Sequence, residues 1–158
     1  MIADGIITSS LSYAIQIYGG CSEYLLNQLQ IQQNIAARYV TKLPWLTSTE
    51  DLLTQCGWLS IRQLIKYHSI LQFKKILVEK EPSYIYNKVE VPTRFTRFSN
   101  GQKYRDSRSF KKTTTLKSFI PRTLSDWNKL PEEIRINDDL PSFKKQLLVH
   151  IKDNIPVK

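Results

Sequence analysis

Ten of the chain's 23 lysines and arginines fall within the 35 residues from 88 to 122: Lys88, Arg94, Arg97, Lys103, Arg105, Arg108, Lys111, Lys112, Lys117 and Arg122. Only two acidic residues accompany them, so this stretch has a net charge of +8 in a chain of net charge +9. Residues 1–87 hold 7 basic and 6 acidic side chains, and residues 123–158 hold 6 of each. Phe95, Phe98, Tyr104, Phe110 and Phe119 are interleaved with the cations. Lysine and arginine neutralise phosphates and release counterions, and aromatic rings stack on unpaired bases. The pattern predicts a nucleic-acid partner, RNA or DNA, with Arg94, Arg97, Lys103, Arg105, Arg108, Lys111 and Lys112 as the contact residues. The competing reading is a solvated basic loop whose aromatics are pinned to the core.

The other groups capable of chemistry read as structural. Asp138-Asp139 invites comparison with a metal-binding carboxylate pair, but two-metal chemistry needs a further carboxylate held nearby. The pair stands just before Leu140-Pro141, where acidic residues favour a helix N-terminus. Glu50-Asp51 and Glu132-Glu133 read the same way. His68 lies among Leu64 and Leu71 on a helical pattern, a buried or rim position, and His150 sits beside Ile151 on an exposed one. Cys21 and Cys56 are 35 residues apart with no close-spaced pair, which does not match a zinc site. No glycine-framed nucleophilic serine and no phosphate-cradling glycine loop occurs. The expectation is a non-enzyme with no catalytic residue, no metal, no cofactor and no small-molecule substrate.

The elements that must position the basic stretch are helical. Ile6 to Tyr18 reads as a short apolar helix stopped by Gly19-Gly20. Ser22 caps a longer helix with Leu25, Leu29, Ala36 and Val40 on one face, ended near Pro44. Thr47-x-x-Glu50 reads as a capping box for a short helix that stops at Gly57. Ser60-x-x-Gln63 opens a long helix through Ile61, Leu64, Ile65, His68, Leu71, Lys75 and Val78, closed by Pro82. Lys74, Lys75 and Lys80 suit the negative end of that helix. Residues 89–117 are rich in β-favouring types and contain Asn100-Gly101, a turn signal, so an extended or hairpin-like insertion is predicted. Pro121 suits a first helical turn, with Leu124, Trp127 and Leu130 following, and Pro131 ends that helix. A final helix carries the stripe Phe143, Leu147 and Ile151. Trp45, Trp58 and Trp127 read as packing anchors beside chain-turning residues. Arg38 ends an otherwise apolar face and is expected to snorkel or to reach a turn carbonyl.

The fold class is therefore mostly α: five or six helices with a basic extended insertion around 89–117. One domain in three parts is expected, a helical part at 1–88, the basic segment at 89–122, and a C-terminal helical part at 123–158 packed on the first. A chain of 158 residues with 41% hydrophobic and 23% charged residues builds a core without staples. It has no apolar run long enough to span a bilayer, and the first residues lack the basic region of a secretory signal, so no membrane partner is expected. A single disulfide between Cys21 and Cys56 is arithmetically possible but nothing in the sequence supports it, so a reduced, intracellular protein is expected, in nucleus or cytoplasm.

Leu29-Gln30-x-x-Gln33-Asn34, Gly57-Trp58-Leu59-Ser60 and Trp127-Asn128-x-Leu130-Pro131, taken together and in this order, resemble strings in the C-terminal, thumb and post-thumb region of non-LTR (LINE-type) retrotransposon reverse transcriptases. Leu29-Gln30-Ile31-Gln32-Gln33-Asn34-Ile35-Ala36-Ala37-Arg38 is similar to the segment that follows the palm in that family. Ser9-Ser10-Leu11-Ser12-Tyr13-Ala14 and Tyr18-Gly19 resemble the stretch just upstream of it. Cys56-Gly57-Trp58-Leu59-Ser60-Ile61-Arg62, Trp127-Asn128-Lys129-Leu130-Pro131-Glu132-Glu133-Ile134-Arg135 and Leu140-Pro141-Ser142-Phe143-Lys144-Lys145-Gln146-Leu147 follow in the family's order and spacing. Ala14 stands where the family has glycine and Tyr18 where it has tryptophan, the marks of a diverged copy. The resemblance implies that residues 1–88 are thumb-like. It also implies a segment that holds template RNA, primer duplex or target DNA near a separate active site, with the reverse transcriptase palm as a partner upstream. The family's Tyr-x-Asp-Asp-type box does not occur in this sequence, and Met1 falls inside the thumb, as in a fragment or truncated frame. The alternatives are a protein-interaction scaffold with an exposed apolar face and a relic without a selected role.

Overall fold

The computed structural model describes residues 2–90, 103–106 and 116–154. These residues form helices α1 (Ile2–Ser12), α2 (Ile15–Tyr18), α3 (Glu23–Thr41), α4 (Thr49–Cys56), α5 (Ile61–Glu79) and α6 (Ser83–Tyr86). Strands β1 (Val89–Glu90) and β2 (Arg105–Asp106) follow, then α7 (Phe119–Lys129), α8 (Glu132–Ile136) and α9 (Leu140–Asn154). The protein is mostly α; among the described residues six helices have eight or more residues, and α2, α6 and α8 are single turns.

Several helix ends follow from local chemistry. The Ser22 hydroxyl accepts from the Leu25 amide. Ser60 and Gln63 form a reciprocal capping box, with the Gln63 side chain accepting from the Ser60 amide at 2.9 Å. Gly57 ends α4 with φ 72°, the left-handed conformation that glycine adopts without penalty. Two expectations are corrected. Ser48, not Thr47, caps α4: its hydroxyl accepts from the Asp51 amide at 3.1 Å, while the Thr47 carbonyl accepts from Arg38 at 3.4 Å. The stretch from Ile6 to Tyr18 is not one helix. Ala14 takes φ 52° and divides α1 from α2, and the turn buries Ile15 completely against α5.

The buried face of α3 is one position round from the apolar face that the leucines suggest. It consists of Leu26, Gln30, Gln33 and Ala37, and Leu25 is exposed. The reason is polar. Gln30 accepts from the Ile61 amide at 2.9 Å, and Gln33 donates to the Leu59 carbonyl at 2.8 Å. Gln30 also donates to Gln33 and Asn34, each at 2.9 Å. Two buried glutamines thus satisfy the backbone entering α5, which would otherwise carry orphaned groups into the core.

Helix α5 is the axis of the fold, touched by α2, α3, α7 and α9. It buries residues on most of its circumference, including Ile61, Leu64, Ile65, Ile70, Phe73 and Ile76. Burial is not confined to one stripe because a central helix has neighbours on several sides. Trp127 of α7 is fully buried, with the Phe73 ring at 5.1 Å and the Phe143 ring at 6.0 Å. Leu124, Leu130, Phe143, Leu147 and Ile151 complete this core, as their helical spacing predicts. A satellite cluster of Ala37, Leu52 and Leu53 is covered by Trp58.

Lys74 is not a solvated helix-end lysine. It is buried, its ammonium 3.1 Å from an Asp138 carboxylate oxygen and 3.4 Å from the Arg135 carbonyl. Trp45 is no packing anchor: it is 72% exposed, with the Arg38 guanidinium 4.7 Å above its ring.

Candidate nucleic-acid interface

The basic stretch is fastened to the helical core at three places. After α6, Val89 and Glu90 pair antiparallel with Asp106 and Arg105. Val89 packs against the main core. At the second place, Asn128 of α7 grips Tyr104 by both backbone groups. Its side-chain amide donates to the Tyr104 carbonyl at 2.7 Å, and its oxygen accepts from the Tyr104 amide at 3.1 Å. The Tyr104 ring turns inward, 5.8 Å from Phe73 and 6.4 Å from Trp127. Burial pushes its phenol up, with smaller contributions from Tyr86 and Asp138. The third place is Ser118, the N-cap of α7.

These anchors bracket residues 91–102 and 107–115. Arg94, Arg97, Arg108, Lys111 and Lys112 lie there, outside the described residues, as do Phe95, Phe98 and Phe110. Of the seven candidate contact residues, Arg105 on β2 is exposed and Lys103 is half-buried. The interleaved-aromatic reading is corrected at Tyr104, which belongs to the core and is not free to stack on a base. Phe119 is half-buried at the start of α7.

Arg122 also has a structural role. It donates to the Gln16 carbonyl at 3.2 Å, and its Nε and Nη1 are buried without a hydrogen-bond partner among the described residues. Burial lowers its pKa. The guanidinium lies against Gly19 and Gly20: a Cβ on Gly19 would come 3.0 Å from Nη1, and one on Gly20 2.5 Å from the Lys117 carbonyl oxygen. Lys66, Lys129 and Arg122 surround Asp126, whose carboxyl is raised by burial and lowered in smaller measure by these three cations. Lys66 of α5 and Lys129 of α7 thus add positive charge near Asp126. The sequence pattern does not single them out, since they fall outside the basic segment.

The groups weighed for catalysis are engaged elsewhere. Asp138 pairs with Lys74, and Asp139 caps α9, accepting from the Ser142 amide at 2.9 Å. His68 is half-buried and lines a cavity of about 320 Å³ with Tyr67, Trp58, Thr8 and Ser12. Burial lowers its pKa and raises that of Tyr67. His150 is half-buried, 3.2 Å from the Asn154 side chain. Both cysteines are free thiols. Among the described residues no three His, Cys, Asp or Glu side chains converge on one point, and no helix is long and apolar enough to cross a membrane.

Comparison with known protein families, curated proteins and solved structures finds no match for this chain.

Proposed function

We propose that the chain is a non-catalytic nucleic-acid-binding module that uses residues 88–122 to grip phosphates. The observation that carries this reading is the concentration of net charge +8 in that segment, whose described residues are tied to one side of the α5–α7 core. In chain order Arg94 and Arg97 fall between β1 and β2, and Arg108, Lys111 and Lys112 fall between β2 and α7. Phosphate contacts position a ligand without reading its sequence, so binding is expected with weak sequence preference. The resemblance to the post-palm region of non-LTR retrotransposon reverse transcriptases supports the same reading. In such a protein the module would hold template RNA, primer duplex or target DNA beside an active site on an upstream palm.

The test is a salt-titrated binding series with single-stranded RNA and duplex DNA. Replacing Arg94, Arg97, Arg108 and Lys111 together by glutamine is expected to weaken binding at least about tenfold. It is also expected to reduce the slope of log affinity against log salt, by roughly 0.9 for each duplex phosphate no longer neutralised and about 0.7 for each single-strand phosphate. Unchanged affinity and slope would sink the proposal.

A further inference from the structure

We infer that the groove between α2, α5, α6 and α7 takes an unpaired base of a single-stranded nucleic acid. The inference rests on the nucleic-acid reading above and names the form of the ligand. The groove has a volume of about 530 Å³. Sites for small organic ligands span roughly 300–1,000 Å³. Helix α5 contributes Gln72 and Ile76, one turn apart, while Ile17 comes from α2, Ile85 from α6 and Phe119 from α7.

The place of the groove in the chain ties it to the basic segment. Helix α6 leads directly into residues 88–122, and the first turn of α7 is the C-terminal end of that segment. Lys88 follows Ile85 by three residues, and the exposed Lys117 precedes the first turn of α7. Arg122 adds a third cation, donating at 3.2 Å to the backbone carbonyl of Gln16, which also lines the groove. Among the described residues no acidic side chain lines it; Glu79 and Glu81, close to Pro82 in the chain, are exposed. A polyanionic strand that follows these cations carries its bases to the groove.

The chemistry of the lining favours a base over a wholly apolar ligand. A nucleobase has two apolar faces and a polar edge. Ile17, Ile85 and the Phe119 ring supply apolar surface for the faces. Gln16 and Gln72 each carry a side-chain amide that both donates and accepts, as the edge requires. Among the described residues neither amide has a hydrogen-bond partner. An apolar ligand would cover them unpaired, at a desolvation cost. A base inside a duplex is stacked and paired, so the groove selects single strands.

The experiment measures binding of the full chain to three probes by fluorescence anisotropy: a short single-stranded RNA, the same strand carrying abasic sugars, and duplex DNA. The abasic strand keeps every phosphate and should bind at least about fivefold more weakly than the intact strand. Phe119→Ala should weaken intact-strand binding at least about fivefold and leave the abasic strand and the duplex unchanged. Phe119→Tyr should retain intact-strand binding. Gln72→Ala should weaken the intact strand about two- to tenfold. Thermal melts accompany each variant, and Gln72→Ala carries the test if Phe119→Ala does not fold. Equal binding of intact and abasic strands, or folded variants that bind the intact strand as the parent does, would overturn the inference and leave the phosphate grip standing. A parent chain that binds none of the three probes would overturn the nucleic-acid reading and this inference with it.

Discussion

Asn128 holds Tyr104 by donating to its carbonyl at 2.7 Å and accepting from its amide at 3.1 Å, the pairing that a neighbouring strand would otherwise supply. One side chain on α7 thereby fixes the residue before the two-residue β2 against the core and sets where the basic segment meets the helices.

Asn128→Ala should remove both bonds and leave the half-buried Tyr104 backbone unpaired, at a cost of about 1–3 kcal/mol. Trypsin cleavage within the basic segment should accelerate, because Tyr104 loses its tether. Thermal melts and mass-mapped limited proteolysis check this; equal stability and equal cleavage rates would refute it.

The Lys74–Asp138 pair is unequal: the Lys74 side chain is 3% exposed and that of Asp138 is 86% exposed. Removing the buried cation leaves a carboxylate that water can solvate. Removing the carboxylate leaves a buried ammonium with the Arg135 carbonyl and the face of the Phe143 ring, and no counter-charge beside it among the described residues. Lys74→Met should therefore change stability by less than about 1 kcal/mol, whereas Asp138→Ala should cost about 2–3 kcal/mol. Urea unfolding of the two variants compares them, and equal losses would contradict the asymmetry.

Glycine positions differ in what surrounds them. A Cβ on Gly19 would stand 2.8 Å from the Ile15 carbonyl oxygen and 2.8 Å from Ile65 Cγ2. Gly19→Ala is expected to cost about 1–3 kcal/mol through forced displacement of α2 from α5. Gly5, inside α1, has nothing within 4 Å, so Gly5→Ala should stabilise by roughly 0.5–1 kcal/mol through helix propensity. Thermal melting of both variants tests the opposite signs.

Burial lowers the pKa of His68 from its usual 6.5. The unfolded chain then binds a proton at a higher pH than the folded one. Stability contributed by the neutral imidazole is fully present above pH 6.5, falls as pH drops through that value, and levels off below the folded pKa. His68→Gln should flatten the stability curve across this window. Unfolding free energies measured from pH 5 to pH 8 would show it, and parallel curves for parent and variant would exclude the effect.

Much of the architecture is written in short-range sequence. The Ser22 and Ser60–Gln63 caps, the Gly57 stop and the stripe Phe143, Leu147 and Ile151 depend on residues within a few positions of one another. Their chemistry is complete before the chain folds. The segregation of positive charge into residues 88–122 is likewise a property of the sequence alone.

The tertiary structure decided what depends on distant partners. Glutamine is an unpromising core residue until the backbone of residues 59–61 arrives to satisfy Gln30 and Gln33, and this turns α3 by one position from its leucine face. Lys74 becomes a buried cation only because α8 brings the Arg135 carbonyl, and the turn after it Asp138, to its ammonium. Trp45 and Trp127 look alike in sequence. Arg38 covers one ring in solvent, and α5 and α9 enclose the other. Tyr104, set among cations, is drawn inward because Asn128, Phe73 and Trp127 satisfy its backbone and ring together. A local pattern records what a residue can do, but burial and pairing are settled by groups that only the folded chain places beside it.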